Sequence, residues 1–319
     1  MIQASASRNS LSSVPCRAWR LRWMRATAVP AVAGLMLLLG PAARAAAPGR
    51  PGSGPPPQGH VRIAIVQQET VPGAVATNRA KAVRFAREAI RNHADLVLFH
   101  EALVVGYVPN IRELAEPAAG PTTQAFQEAL RGTGTLILYG LVERDGADCY
   151  TSAILVGADG VAARYRKTHL WWKAEGVRHE PTYFRAGQGL VTFPLKGHKC
   201  GVMICYDGDF PEMTRAYANL NCVMLFWLNN RGSRGHSEVA PLVRANTMIM
   251  ATSCCCGKNE AGAPCRGGSN ITDKDGSLLA EIWDKEDILY ADVDSRTVLE
   301  ARQQNPWFRG QRQDLYRPR

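Results

Sequence analysis

From residue 61 onward, short apolar runs alternate with segments whose apolar residues recur every three or four positions. Residues 61–66 and 96–99 are compact, apolar and rich in branched or bulky side chains, the pattern of buried strands. Residues 78–92 place Ala82, Phe85, Ala89 and Ile90 on one face and predict a helix. Residues 121–130 predict a second helix, with proline at its start. Strands are expected at 135–142, 151–156 and 161–165, the last two joined by a turn at Ala158, Asp159 and Gly160. Further strands are expected at 191–193, 199–204, 223–228, 251–256, 271–273, 277–281 and 288–293, with helices at 212–220 and 237–250. Hairpins mixed with strand–helix–strand units predict an α/β fold with a mixed sheet and helices packed on it. The number of strands predicts two such sheets, back to back. No unit of roughly 20–50 residues repeats, which argues against solenoids and propellers.

The first fifty residues break this pattern. They hold no Asp or Glu, and Arg17, Arg20, Arg22 and Arg25 precede an apolar run over 28–40 that Ala43–Arg44–Ala45 follows. A basic stretch, a short apolar stretch and an Ala-x-Ala site predict a secretory signal peptide over 1–45, and hence an exported protein, periplasmic or secreted. An uncleaved anchor is the alternative, although a bilayer span takes about 20 apolar residues. Met24 is a second possible start. Residues 46–59, rich in Pro and Gly, read as a linker. One domain is expected over 60–319.

Export changes the meaning of the charge. The whole chain carries +10, but residues 1–45 contain six arginines and no acids, so the mature chain would carry only +4. No basic stripe interleaved with aromatics is present, and a nucleic-acid partner is not expected. With 46% hydrophobic and 21% charged residues the chain is globular. Its nine cysteines lie mostly in apolar, strand-like runs and do not form a disulfide framework. Cys254–Cys255–Cys256 stands out, but no His lies nearby at ligand spacing and neighbouring strand residues point to opposite faces, so no metal is expected. A Cys256–Cys265 loop closure is a minor alternative.

Candidate chemistry sits at strand ends. Cys205 closes the apolar stretch GVMIC, and the following turn and short helix offer amides to a thiolate. Glu101 follows the all-apolar LVLF, where a carboxylate is costly unless solvated or held in a site, and desolvation there would suit a general base. Lys167 follows VAARYR and offers a fixed cation for a developing oxyanion. His169 reads as a structural histidine, and Asp207 and Asp209 as turn and cap residues, with service to the lysine's surroundings as their alternative. The ends of sheet strands are where α/β enzymes tend to place their sites.

Together these three residues resemble the Glu–Lys–Cys triad of the nitrilase superfamily, the carbon–nitrogen hydrolases. The motif YRKTHL resembles the family's lysine motif and CYDGDFPE its cysteine motif. YGLVERDGADCYTSAILVGADG resembles the family's segment before the lysine, GGSNITDKDGSLLAE its late hairpin and RQDLY its C-terminal end, and the likeness runs from Val61 to Tyr316. The resemblance implies a two-sheet αββα sandwich, four layers when two subunits pair, and a homodimer or larger assembly. It implies that Glu101 takes the Cys205 proton, that Lys167 and the Tyr206 backbone amide hold the oxyanion, and that Glu180 orients the lysine. The thiolate would attack an amide, carbamoyl or nitrile carbon, with no cofactor and no metal.

Three departures are visible. His100 stands where the family often has proline, and the usual Asn after the late strand is replaced within 254–256. Cys205–Tyr206–Asp207 differs from the Cys-Trp-Glu of true nitrilases and resembles the amidase and carbamoylase branches, so amide hydrolysis is expected over nitrile hydrolysis. Candidate substrate contacts are Tyr107, Trp171 and Asn229, with Trp172, Tyr206, Asn230 and Arg231 as further aromatic or polar candidates and Trp227 assigned to the core. A secreted non-catalytic binding protein on the same fold, and a thiol redox or metal protein built on 254–256, are the readings from other classes.

Overall fold

The computed structural model describes residues 54–316 apart from 174, 232 and 233. The expected signal peptide over 1–45 and the start of the linker lie outside the described residues. Among the described residues, no helix is long and apolar enough to cross a membrane.

The first sheet has six strands. β1 (Val61–Gln67), β2 (Leu96–Leu98) and β3 (Leu136–Asp145) run parallel at its centre. β4 (Asp148–Gly157) and β5 (Gly160–Arg166) extend it by antiparallel hairpins. The second sheet repeats the plan. β6 (Thr192–Leu195) pairs antiparallel with β7 (His198–Ile204), and β7, β8 (Met224–Asn229) and β9 (Ile249–Cys254) run parallel. β10 (Cys256–Lys258), β11 (Pro264–Thr272) and β12 (Leu278–Trp283) complete it. β13 (Asp287–Val293) returns to the first sheet, antiparallel to β1.

Alternation along the strands explains the layering. Ile63, Ile65, Leu96, Leu98 and Leu138 point inward and pack against Val202, Ile204, Phe226 and Leu228 of the second sheet. Ala64, Val66, Val97 and Phe99 point outward onto α1 (Val75–Arg91) and α2 (Pro121–Ala129), meeting Ala82, Phe85 and Phe126. On the other side, Met213 and Tyr217 of α3 (Pro211–Asn219) and Val239 and Val243 of α4 (His236–Asn246) cover the second sheet. The αββα sandwich is therefore complete within one chain. This corrects the expectation that pairing of two subunits supplies the four layers: each sheet already has helices on one face and the other sheet on its second.

The pattern also misplaced some boundaries. The helix expected to reach 250 stops at Asn246, because Thr247 turns into the left-handed region (φ 46°), and Ile249 and Met250 enter β9. Apolar residues there suit either element, and one backbone angle decides between them. β10, the first half of β11 and the C-terminal helices α5 (Val298–Gln304), α6 (Pro306–Arg309) and α7 (Gln313–Tyr316) carry no clear periodicity. α5 is anchored by one long side chain. Arg302, 2% exposed, donates to the carbonyls of Ala218, Cys222, Asn246 and Thr247 around the ends of α3 and α4. Burial depresses its pKa to about 10, yet the carbonyls and the negative ends of two helices favour the cation.

Replacing Arg302 by Met strips donors from those buried carbonyls. We expect a loss of about 3 kcal/mol, read in urea unfolding as a lower midpoint at unchanged slope.

Candidate active site

Loops leaving strand ends converge on one cavity of about 220 Å³, lined by Glu101, Tyr107, Trp171, Arg178, Glu180, Cys205, Tyr206, Asn230 and Arg231. Glu101 follows β2, Lys167 follows β5, Cys205 follows β7, and Asn230 and Arg231 follow β8. The parallel order of β7 and β8 brings the last two loops to the same edge. Gly140 of β3 allows the Glu101 turn to lie on the sheet, since a Cβ there would sit 2.4 Å from the Glu101 Cα.

Lys167 lies between two carboxylates. Its Nζ donates to Glu101 Oε1 at 2.8 Å and to Glu180 Oε1 at 2.7 Å, and all three side chains are at most 2% exposed. Burial opposes the ammonium, but the two glutamates and the nearby thiol outweigh it and hold the lysine charged well above its usual range. The second oxygens are also occupied. Asn230 N–H donates to Glu101 Oε2 at 2.9 Å, and Trp171 N–H donates to Glu180 Oε2 at 2.7 Å. The Tyr107 hydroxyl faces Glu180 at 2.6 Å and Glu101 at 3.1 Å, and burial with these two charges holds it protonated.

His100, where the family often has proline, is fully buried and bridges the Glu101 carbonyl (2.9 Å) and the Thr70 hydroxyl (3.1 Å). Burial lowers its pKa to about 4, so it is neutral and fixes the backbone beneath Glu101.

Cys205 opens a short 3-10 turn over Cys205–Asp209 with φ at 46°, a conformation that costs a non-glycine residue energy and aims its thiol out of the sheet into the cavity. Two neighbours keep that turn in place. Trp227, wholly buried as expected, donates its indole N–H to the Cys205 carbonyl at 3.0 Å. Gly208 leaves room for that ring, since a Cβ there would sit 2.0 Å from it. Asp207 clamps the other side, accepting from Ile204 N–H, the Tyr165 hydroxyl, the Thr168 hydroxyl and His169 N–H at 2.7–3.0 Å. Burial works against its charge, but these bonds and His169 hold the carboxyl below its usual value. The Asp207 clamp joins the lysine loop to the cysteine loop, and His169 is a structural partner in it. Asp209 pairs with Arg231 and Arg234, each at 2.9 Å.

Burial and Glu101 push the Cys205 thiol up to about 11 against the pull of Lys167 and Arg231. Arg231 Nε lies 3.3 Å from the sulfur. The expected contacts divide. Tyr107 and Trp171 line the cavity, although the Tyr107 hydroxyl is committed to the carboxylates. Trp171 meets Tyr206 edge-on at 4.9 Å, while Trp172 is 56% exposed and outside the cavity lining. Asn229 is a correction. It is the last residue of β8, still paired with Cys254, and its side chain is buried toward the Trp227 carbonyl. One residue on, the chain leaves the sheet, and Asn230 and Arg231 face the cavity instead. Arg178 was not anticipated. It lies 4.7 Å over the Tyr107 ring, donates to the Asn230 carbonyl at 3.1 Å and pairs with Glu260. Its only sequence signal was a charge two residues before Glu180.

The fold sets a strained thiol at a strand end in one cavity with a carboxylate that a buried ammonium holds. Residues 62–303 match the model of the carbon–nitrogen hydrolase family, and the chain belongs to that family, in the nitrilase superfamily's amidase-like branch. It is 29% identical over 266 residues to omega-amidase NIT2 of Homo sapiens, covering 80% of this chain and 96% of that one. It is 27% identical to an (R)-stereoselective amidase of Pseudomonas sp, covering 79% and 92%. The solved structure of an amidase from Nesterenkonia sp. AN1, in a mutant carrying the acetamide moiety of fluoroacetamide on its active-site cysteine, superposes with a TM-score of 0.70. That match is at 22% identity and covers 82% of this chain and 98% of the other.

Gly208→Ala drives a methyl group into Trp227, and we expect about 1–3 kcal/mol of destabilisation by thermal unfolding. Asp207 contributes stability that is present above the usual carboxyl pKa of about 4 and is lost as pH falls toward its depressed folded value. Asp207→Asn should therefore be less stable at neutral pH and show a shallower fall in stability below about pH 4, measured by urea midpoints across pH.

Proposed function

We propose that this enzyme hydrolyses the C–N bond of a small amide or N-carbamoyl compound through a thioester on Cys205. The observation that carries the reading is the buried Lys167 ammonium, 2.8 Å from Glu101, in a site of about 220 Å³ that also holds the one partly exposed thiol among the described residues. A thiol pushed up to about 11 is protonated at neutral pH, so attack requires a base. Glu101 takes the proton as sulfur attacks the carbonyl carbon. Lys167 and the backbone amide of Tyr206 hold the oxyanion. The tetrahedral intermediate collapses with breakage of the C–N bond, and Glu101 returns the proton to the leaving ammonia or amine. Water, deprotonated by Glu101, then cleaves the thioester, and the thiol is restored. Glu180 and Tyr107 keep the ammonium and Glu101 in register throughout.

The cavity size favours a short acyl group. Arg231 beside the sulfur and Arg178 in the cavity wall favour a substrate that also bears a carboxylate. Export through residues 1–45, and a homodimer or larger assembly, belong to the same proposal; fractionation of cells and light scattering test them.

We expect ammonia release from short amides, fastest where the acyl chain ends in a carboxylate, and none from Cys205→Ala. Nitriles turned over faster than amides would move the assignment to a nitrilase. A folded wild type that releases no ammonia and whose Cys205 resists iodoacetamide would leave a binding protein. Glu101→Gln should lower kcat by about 10²–10⁴-fold. Arg231→Ala should raise KM for carboxylated amides well above its effect on neutral ones.

A further inference from the structure

A second group of thiols lies directly behind the Arg178 wall. Cys255, Cys256 and Cys265 line a small separate cavity with Tyr107, Arg178, Asn230 and Glu260. The register of the β10–β11 hairpin sorts them by face. Cys256 opposes Arg266 and Gly257 opposes Cys265, so Cys255 and Cys265 share a face while Cys256 points away toward the Gln67 carbonyl. The Cys255 and Cys265 side chains also line the same small cavity. Both are free thiols.

We propose that Cys255 and Cys265 are a reversible disulfide site that clamps together the two strands of the hairpin carrying Glu260, beside the active-site wall. The closure suggested by sequence spacing, Cys256 to Cys265, is on the wrong faces. The oxidant is a thiol–disulfide couple such as oxidised glutathione. The Cys265 thiolate attacks one glutathione sulfur and expels the other as a thiolate. Cys255, losing its proton, then attacks the mixed disulfide at Cys265 and expels the second glutathione. Two protein thiols give up two electrons and two protons, and one oxidised glutathione becomes two reduced molecules.

Cys265 suits the first step. It retains 6% exposure between exposed Pro264 and Arg266. Cys255, with help from Arg178, lowers its pKa. Burial instead pushes Cys222 up to about 11 and Cys256 up to about 12, and raises Cys200 and Cys254 further. The clamp has a direct line to the site. Glu260 at the hairpin tip holds Arg178 at 2.8 Å, and Arg178 donates to the Asn230 carbonyl. Cys255 itself lies 3.7 Å from Asn230 Oδ1, and Asn230 binds Glu101.

The full chain is equilibrated in reduced and oxidised glutathione, alkylated, and mapped by peptide mass spectrometry, with amide hydrogen exchange on both forms. We expect a Cys255–Cys265 cross-link as the first to form. It should survive in Cys256→Ser, be absent in Cys265→Ser and Cys255→Ser, and be reversed by dithiothreitol. Exchange of amides 257–263 should slow in the oxidised wild type and not respond to oxidant in Cys265→Ser. A cross-link through Cys256, glutathione retained on Cys265 without closure, or free thiols at both positions in the oxidising buffer would overturn the site. A cross-link that leaves hairpin exchange unchanged would overturn the clamp.

Discussion

The rest of the site depends on one buried charge arrangement: an ammonium between two carboxylates, all three withdrawn from bulk water. Removing such groups from water costs several kcal/mol each unless their remaining hydrogen-bonding positions are filled. Here Asn230 and Trp171 supply backbone N–H groups and Tyr107 supplies a hydroxyl. Each donor comes from a different loop. The charges therefore dictate where these loops run, and the loops form the walls of the cavity. The excess negative charge of two glutamates against one lysine also sets the chemistry. It keeps the lysine protonated and, together with burial, keeps the neighbouring thiol protonated.

The cysteine loop is confined in the same way. A left-handed residue at the end of a strand is strained, and it persists only where its surroundings leave no alternative. Trp227 below and Asp207 beside it provide that confinement. Asp207 is the residue through which the first sheet fixes the second: it reaches from the cysteine turn to Tyr165, Thr168 and His169 beside Lys167. Nucleophile and ammonium thus share one support, so neither moves alone.

Much of this was legible in the residues. A carboxylate, an ammonium and a thiol that each follow an apolar run are conspicuous, because apolar runs end at sheet edges and charges there need a reason. Strand periodicity located most of both sheets, including the parallel cores. The errors have physical causes. Asn229 and Asn230 differ only in which side of the sheet they reach, and the point at which β8 ends is set by its neighbour β9. Arg178 and Arg302 act through contacts with residues 52 and 84 positions away, which local pattern does not encode. The hairpin of β10 and β11 is rich in Gly and Cys and lacks a repeating apolar face.

The sequence alone determined the class of fold, two apolar-faced sheets with helices, and which charged and thiol groups stand at strand ends, because burial preference and charge are properties of single residues and short runs. The tertiary structure decided which groups meet. It showed that the four layers close within one chain, that Asn230 and Arg231 replace Asn229 at the cavity, and that Cys265 shares a strand face with Cys255 and not with Cys256. Each of these depends on register between strands distant in sequence, where a shift of one residue turns a side chain to the opposite face.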